Sequence, residues 1–307
     1  TLPAWLKVWW PRFGSGGELY LRSIRKDGQI SGIAPLQIRN ETASIIGSVD
    51  VCDYQDFIIA PGLEDHFYNA ILDDLIREGV REFHLETVRP DSTIVNYLIP
   101  LARKRGYPVE YLPVDVSSDI ELPSTWEGYL NTLDRKQRHE VRRKMRNFQE
   151  IGDTEYRTIA GTAGVPEALE QFLKLFPESR SDKAQFMTAE MQLFFRELTA
   201  SLSQIKIIQF GSLELDNKPV AMVMCFDYNG IIYLYNSAYD PEYRSLSVGI
   251  VSKVKCIQNS IEQGKTRFDF LKGAEQYKYY LGGKEIPLYS CHITLQPGQV
   301  SFHSERH

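Results

Sequence analysis

Residues 243–278 read "YRSLSVGIVSKVKCIQNSIEQGKTRFDFLKGAEQYK". The pattern predicts a loop over residues 244–249, an amphipathic helix that ends at Gly264, and a strand over residues 266–271. A glycine-containing loop that leads into a helix often holds a phosphate, because backbone N–H groups and the helix dipole point toward the anion. No Gly-Lys-Ser/Thr follows this loop, so it is not the phosphate loop of an ATPase.

The same order of elements occurs earlier in the chain. The segments "AILDDLIREGVREFHLETV" (residues 70–88) and "KCIQNSIEQGKTRFDFLKG" (residues 255–273) align without a gap, with Gly79 on Gly264 and Phe83 on Phe268. Each follows short alternating strands joined by Asp-Gly or Asn-Gly turns. An internal repeat explains this order, with coincidence as the alternative because the identities are few. We therefore expect an α/β fold with a mixed sheet in two tandem modules, over residues 1–118 and 119–307.

Composition excludes several classes of function. The formal net charge of −5 does not suit binding to DNA or to an anionic membrane. No apolar run reaches the roughly 18–20 residues that span a bilayer. The four cysteines and the six histidines lack metal-ligand spacing, so we expect no metal, free thiols and a cytoplasmic location.

A basic helix is predicted over residues 134–150. Arg135, Arg138 and Arg142 recur at spacings of three and four and therefore share one face. Seven basic residues against one acid within twelve positions repel one another, and a bound anion would relieve that repulsion. We interpret these three arginines as ligands for an anionic substrate; the alternative is a solvated face whose partners come from carboxylates elsewhere.

The loop and its surroundings resemble a known superfamily. Residues 244–249 follow Arg-x-x-Ser-x-Gly, which resembles the Arg/Gln-x-x-Gly-x-Gly/Ala loop of the GNAT acyltransferases, with Ser247 in place of the first glycine. Four stretches resemble its FemAB-like branch, which includes bacterial proteins described as cellulose- or exopolysaccharide-biosynthesis acetyltransferases: "LDRKQRHEVRRKMRNF", "PVAMVMCF", "IIYLYNSAYDPEYRSLSVG" and "RFDFLKGAEQYKYYLGG". The resemblance covers nearly the whole chain and implies two tandem GNAT-like modules.

The resemblance also implies a donor site in the second module. The donor would be acyl-coenzyme A, such as acetyl-coenzyme A, with its pyrophosphate on backbone N–H groups of Leu246, Ser247, Val248, Gly249 and Ile250. Arg244 would add a bidentate contact, and Asn236 on the preceding strand could face the acyl group. Without the resemblance, a serine that caps the N-terminus of a surface helix would explain the same residues. The first module has no such loop, which implies a structural or acceptor-binding role.

The segment "GAEQYK" is the predicted place of the chemistry. An amine must lose a proton to attack a thioester, and Asp269 or Glu275 could accept it directly or through water. Tyr277 could reprotonate the leaving thiolate, and Lys278 could stabilise an oxyanion or bind an acceptor anion. The alternative is a structural Asp269–Lys278 ion pair beside a packed tyrosine.

We therefore predict N-acyl transfer from acyl-coenzyme A to an amine acceptor, such as an amino sugar or glycan precursor, in bacterial envelope or polysaccharide metabolism. One alternative is an aminoacyl-tRNA-dependent ligase of the FemAB type, with tRNA as a partner. The acidic chain and the lack of a long helical-hairpin insertion count against it. The other alternative is a non-catalytic binding module with a decayed donor loop, suggested by Ser247.

Overall fold

The structure of the protein is a computed structural model that describes residues 2–296. Chain contacts divide it into two compact units, residues 2–115 with 287–296, and Val116–Ile286. Its helices are α1 Pro3–Phe13, α2 Glu64–Arg77, α3 Ile99–Lys104, α4 Trp126–Thr132, α5 Arg135–Gln149, α6 Gly161–Ser179, α7 Ser181–Phe186, α8 Ala189–Gln204, α9 Val248–Glu262 and α10 Gln276–Tyr280. Its strands are β1 Glu18–Lys26, β2 Gln29–Arg39, β3 Thr42–Ile45, β4 Ile58–Ile59, β5 Glu82–Val88, β6 Val109–Glu121, β7 Thr154–Ala160, β8 Ile208–Leu215, β9 Lys218–Tyr228, β10 Ile231–Tyr239, β11 Arg267–Lys272 and β12 Lys284–Thr294.

The first unit is a mixed sheet with helices packed on it. Its strand order is β1-β2-β3-β5-β12, with the short β4 paired to β2. β3 and β5 run parallel, and α2 connects them, as a crossover between parallel strands requires. Phe67, Ile71 and Leu75 recur at helical spacing on α2 and are fully buried, so this face of the helix forms the centre of the core.

The second unit repeats this plan with more helices. Its strand order is β6-β11-β10-β9-β8-β7. β10 and β11 run parallel, and α9 connects them. The helices α6, α8 and α9 all pack against β8, which is buried along its whole length. The unit is therefore an α/β arrangement in which α9 and its preceding loop lie next to the central strands.

The two helix-to-strand turns have the same geometry. Gly79 and Gly264 adopt φ values of 80° and 71°, which a residue with a Cβ reaches only at a cost. Each glycine N–H donates to the carbonyl three residues earlier, and the next residue donates to the carbonyl five residues earlier, at 2.9–3.0 Å. This pattern is the helix-ending motif that glycine favours, so the predicted equivalence of the two turns holds in detail.

The division of the chain differs from the predicted boundaries. β12 pairs antiparallel with β5, so residues 287–296 lie in the first unit and not with the module predicted over residues 119–307. The end of β6 pairs with β11 in the second unit. Periodicity could predict each strand but not its partner, because strand pairing is decided by contacts distant in sequence.

Three local features of the second unit concern its helices. Pro166 lies inside α6, which begins at Gly161. Thr125 caps α4 by accepting a hydrogen bond from the Gly128 N–H at 3.0 Å. The segment after Gly273 forms the short helix α10.

Candidate active site

The central sheet of the second unit opens between β10 and β11. Their parallel pairing joins residues 231–233 to residues 267–269 and ends there. β10 continues along β9 to Tyr239, with an irregularity between Leu234 and Asn236. The edge of β10 that faces away from β9 therefore leaves β11 after Tyr233, and Asn236 lies half-buried in this diverging part. An extended ligand could pair with such an edge.

The loop before α9 has an unusual backbone conformation. Residues Pro241–Leu246 form a 3₁₀ helix, and Ser247 follows with φ 57° and ψ 30°. This left-handed region favours glycine, which is the residue that the resembled loop has at this place. The Ser247 side chain makes no capping hydrogen bond to α9, so a serine N-cap does not explain the loop. Its Oγ instead accepts a hydrogen bond from Lys144 Nζ at 3.1 Å.

The loop offers fewer free donors than the sequence predicted. The Ser247 N–H donates to the Arg244 carbonyl at 3.0 Å, and the Ile250 N–H donates to the Ser247 carbonyl at 2.8 Å. Leu246 is the last residue of the 3₁₀ helix. Within residues 2–296, Val248 and Gly249 keep N–H groups with no acceptor, as expected for the first two positions of a helix.

Gly249 is explained by packing. A Cβ at this position would lie 3.3 Å from Cδ1 of Tyr239, which is tighter than most side-chain contacts. The glycine therefore lets the start of α9 lie against the Tyr239 ring. A Cβ here would first meet this ring, whereas the predicted role of Gly249 is to donate its backbone N–H to the pyrophosphate.

Two basic side chains lie at the same helix start. Lys144 extends from α5 to Ser247, and Arg244 is exposed with no ion-pair partner in the part of the chain that the structure describes. Together with the two free N–H groups they form an electropositive site at the positive end of the α9 dipole. The sequence prediction included Arg244 and missed Lys144, which it counted only as part of the basic helix.

The basic helix presents a groove of about 550 Å³ lined by Arg135, Lys136, Arg138, His139 and Arg142. Asp134 and Gln137 form a reciprocal cap that fixes the start of α5. Val141 and Phe148 are buried, and these contacts turn the arginine face outward. The groove is open and lies along α5, so it is a separate feature from the opening of the sheet.

The three predicted arginines are only partly neutralised. Arg142 pairs with Glu127 at 2.8 Å between exposed side chains, and Arg138 donates to the neutral Asn131 amide oxygen at 2.7 Å. Arg135 has no ion-pair partner among residues 2–296. The Glu127 carboxylate alone does not neutralise the three arginines, so the groove keeps a net positive charge that suits an anionic ligand.

Lys278 has a structural environment. Its side chain is 1% exposed, and Nζ donates to the carbonyls of Leu271, Lys272 and Gly273 at 2.6–3.0 Å. Nζ also lies 2.9 Å from Oε2 of Glu275. The predicted role in binding an oxyanion or an acceptor anion conflicts with this geometry, because the three protons of the ammonium already have acceptors.

Asp269 also supports the end of β11. It is 3% exposed, and Oδ1 accepts a hydrogen bond from the Leu271 N–H at 2.7 Å. Leu271 adopts φ 61°, an unfavourable value for a residue with a Cβ. The carboxylate thereby stabilises a bend that starts the "GAEQYK" segment, and it is not paired with Lys278 as the structural alternative supposed. This contact favours a positioning role over direct proton transfer.

Glu275 and Tyr277 lie beside the opening. The Glu275 side chain is 48% exposed, so its carboxylate is accessible to a ligand. Burial, followed by the Glu275 charge, raises the pKa of Tyr277 well above its ordinary value, so the phenol keeps its proton at neutral pH. A protonated phenol next to a carboxylate can supply an acid and a base to one reaction.

Two lysines were missed by the sequence analysis. Lys253 Nζ lies 4.7 Å from the centre of the Tyr277 ring, and Lys183 Nζ donates to the Ser237 carbonyl in the diverging part of β10. Lys253 is the one charged side chain among the buried residues of α9, which include Val251, Val254 and Ile257. A charged residue within such a buried helix is the signal that could have identified it.

Comparison with known proteins defines the class. Residues 135–279 match the family model described as the acetyltransferase (GNAT) domain. The matched segment contains the basic helix, the loop before α9 and the whole "GAEQYK" segment, and it lies within the second unit. The second unit therefore contains a GNAT acetyltransferase domain with a GNAT-like α/β fold, which supports N-acyltransferase activity. No curated protein matches the chain.

Solved structures share the fold over nearly the whole chain. FemX is 12% identical, with a TM-score of 0.66 over 94% of this chain and 90% of its own. A conserved protein of unknown function from Bacteroides thetaiotaomicron is 13% identical, with a TM-score of 0.62 over 95% and 89%. L-PGS from Bacillus licheniformis is 12% identical, with a TM-score of 0.59 over 94% and 91%. At these identities the likeness is one of fold.

The described residues show neither a metal-ligand cluster nor a membrane-spanning helix. Within residues 2–296, histidine, cysteine, aspartate and glutamate side chains do not gather in a group of three or more that could hold a metal ion. No helix in the same range is both long enough and apolar enough to span a bilayer. All four cysteines are buried free thiols.

Proposed function

We propose that the second unit transfers an acyl group from acyl-coenzyme A, such as acetyl-coenzyme A, to an amine. The observation that carries this proposal is the start of α9, where two free N–H groups, Arg244 and Lys144 converge beside the opening of the sheet. A pyrophosphate is the part of coenzyme A that such a site would bind. Ser247 adopts a left-handed backbone conformation that favours glycine, the residue at this place in the resembled loop, which argues against a decayed loop.

The opening of the sheet would take the rest of the donor. The pantetheine arm of coenzyme A is extended and carries amides, which could pair with the diverging edge of β10. Asn236 lies half-buried on that stretch and could face the acyl group. The thioester would then lie between β10 and the segment of Glu275 and Tyr277.

The transfer itself needs few groups. The acceptor amine loses a proton to Glu275, directly or through water, and attacks the thioester carbonyl to form a tetrahedral intermediate. Collapse of the intermediate breaks the carbon–sulfur bond, and the Tyr277 hydroxyl donates a proton to the leaving thiolate. Asp269 acts as a positioning residue by accepting a hydrogen bond from the Leu271 N–H. Lys278 has a structural role, since its ammonium holds the backbone carbonyls at the end of β11.

We infer an amino sugar or a related glycan precursor as the acceptor. The support is the resemblance of the chain to the FemAB-like acetyltransferases of bacterial envelope and polysaccharide metabolism. We also propose a cytoplasmic location, because free thiols are usual in that reducing compartment. The first unit would then be a structural or acceptor-binding module.

One observation favours a second candidate, an aminoacyl-tRNA-dependent ligase of the FemAB type. The groove on α5 combines Arg135, Arg138 and Arg142 with a lysine and a histidine, and a polyanion such as tRNA would suit it. The fold of FemX, similar over 94% of this chain, is compatible with this candidate. The two candidates differ in the donor that must bind.

Calorimetric titration of acetyl-coenzyme A tests the proposal. The parent protein should bind, and Ser247→Gly should bind as well or up to about 5-fold more tightly, because glycine removes a Cβ from the place where the phosphate would approach the backbone. Gly249→Val should weaken binding by about 10-fold or more, because its methyl groups would push the start of α9 away from Tyr239.

Ser245→Gly is the matched control for the loop. Ser245 lies in the 3₁₀ helix and has no positive φ, so glycine should bring no gain there. If the parent neither binds acetyl-coenzyme A nor gains thermal stability at millimolar donor, the coenzyme A proposal fails and the ligase becomes the better candidate.

The arginine groove gives a separate prediction. Arg138→Ala combined with Arg142→Ala should weaken binding of the ligand that uses the groove, and the loss should shrink at high potassium chloride because salt screens the charges. Folding should hardly change, because exposed ion pairs contribute little to stability. Titrations of acetyl-coenzyme A and of bulk tRNA at low and high salt would show which ligand is affected.

Arg143→Ala serves as the control on the same helix. Arg143 pairs with Glu140 at 2.7 Å and does not line the groove, so both ligands should bind this variant as they bind the parent. Unchanged binding of both anions to the double variant would leave the groove as a solvated face.

A further inference from the structure

Two lysine ammonium groups in the second unit have few partners for their burial. Lys253 is 5% exposed, and its Nζ donates to the Gly249 carbonyl at 2.8 Å. The half-buried Lys183 donates to the Ser237 carbonyl. An ammonium carries three donors. In the part of the chain that the structure describes, neither lysine forms an ion pair, and each has N–H groups left without an acceptor.

Both ammonium groups lie at the opening of the sheet. Ser237 belongs to the part of β10 that has left β11, and Gly249 belongs to the first turn of α9. The Glu275 carboxylate acts electrostatically on both lysines, and the charge of Lys183 acts on Lys253. The two lysines therefore belong to one cluster, on the same side as Tyr277.

The cluster holds more basic side chains than carboxylates that could balance them. Burial, followed by the charge of Lys183, lowers the pKa of Lys253 to about 7. Burial, followed by the charge of Arg180, lowers the pKa of Lys183 to about 8. Glu275 opposes both shifts, but its carboxylate is already bonded to Lys278. Lys253 also faces the thiols of Cys225 and Cys256, and Lys183 faces Asp182.

A purely structural role would not leave donors unused. Lys278 shows what a buried lysine with a structural role looks like, because three carbonyl oxygens accept hydrogen bonds from its three ammonium protons. Burying an ammonium without such partners is costly, and an apolar side chain of similar size would pack at lower cost. The unused N–H groups and the missing counter-charge both point to an anion.

We propose that Lys183 and Lys253 form an anion-binding site that holds a carboxylate or phosphate of the amine acceptor. The inference rests on the proposed function only in taking the ligand to be the acceptor. Binding of a simple anion needs no acyl transfer, so the two proposals can fail separately. The acceptor class is thereby narrowed to amines that also carry an anionic group.

Titration with acetate and with inorganic phosphate tests the site directly. Near the Lys183 pKa of about 8, part of the cluster is neutral, and a bound anion should make it take up roughly one proton. Calorimetry in two buffers of different ionisation enthalpy measures that uptake. Lys253→Met and Lys183→Met should each reduce affinity by about 10-fold and reduce the uptake.

Lys255→Met is the matched control. Lys255 lies on α9 two residues from Lys253, and its ammonium is 3.4 Å from Oε1 of Gln258. This variant should keep the affinity and proton uptake of the parent. The proposal is overturned if neither anion binds at millimolar concentration, if binding takes up no proton, or if both methionine variants bind as the parent does.

Acceptor assays separate the two anion classes. With acetyl-coenzyme A as donor, we compare KM for glucosamine, for its phosphate ester and for muramic acid, which carries a carboxylate. The preferred anionic amine should have a KM about 10-fold or more below that of glucosamine, and Lys253→Met should abolish the difference. Equal KM values for all three amines would contradict the assignment of the anion to the acceptor, even if acetate or phosphate binds to the two lysines.

Discussion

Replacing Lys278 with methionine should lower the free energy of unfolding by about 2–4 kcal/mol, because it leaves three carbonyls without their donor. These carbonyls belong to Leu271, Lys272 and Gly273, where the chain leaves β11. The substitution also removes the cost of burying a charged ammonium, and this limits the net loss of stability. Urea denaturation of the parent and the variant measures the change.

Lys284→Met is the control for this effect. Lys284 is exposed at the start of β12, so its replacement should leave the urea midpoint nearly unchanged. If Lys278→Met instead unfolds like the parent and loses only turnover, Lys278 acts in the chemistry as the sequence first suggested.

Replacing Tyr277 with phenylalanine should lower turnover by about 100-fold if its hydroxyl protonates the leaving thiolate. The ring should stay in place, because it packs against Phe270 at a centroid distance of 6.1 Å and beneath Lys253. The variant should therefore bind acetyl-coenzyme A as the parent does and change kcat more than KM. Steady-state kinetics with the acceptor that the parent uses best measures this split.

Tyr279→Phe is the matched control on the same short helix. The Tyr279 hydroxyl donates to Oε2 of Glu285 at 2.6 Å in an exposed setting, so its loss should change turnover little. Full activity in Tyr277→Phe would limit Tyr277 to packing.

Much of the fold could be predicted from the sequence. The turn residues at Asp27-Gly28 and Asn229-Gly230 placed two hairpins, and Gly79 and Gly264 placed two equivalent helix ends. These features depend on backbone conformations that few residues adopt, so a short stretch of sequence is enough to predict them. The buried faces of α2 and α5 likewise follow from residue spacing.

The site was only partly predictable. The sequence identified the loop around Ser247 and the segment of Glu275 and Tyr277, because both combine unusual residues within a few positions. It could not tell that the three protons of Lys278 are used by carbonyls, or that Ile250 gives its N–H to the Ser247 carbonyl. The partner of a hydrogen-bond donor is set by the tertiary structure, since the sequence around a donor does not specify which acceptor it will meet.

The sequence by itself determined the order of helices and strands, the repeat and the loop that precedes α9, because these follow from spacing, turn chemistry and glycine conformation. Only the tertiary structure decided that β12 pairs with β5, that β10 and β11 diverge after residue 233, and that Lys183 joins Lys253. Lys183 and Lys253 are seventy residues apart in the sequence, so only the folded chain brings them together. The pairing of strands and the burial of charges are set by contacts between distant residues, and their free energy depends on the finished packing.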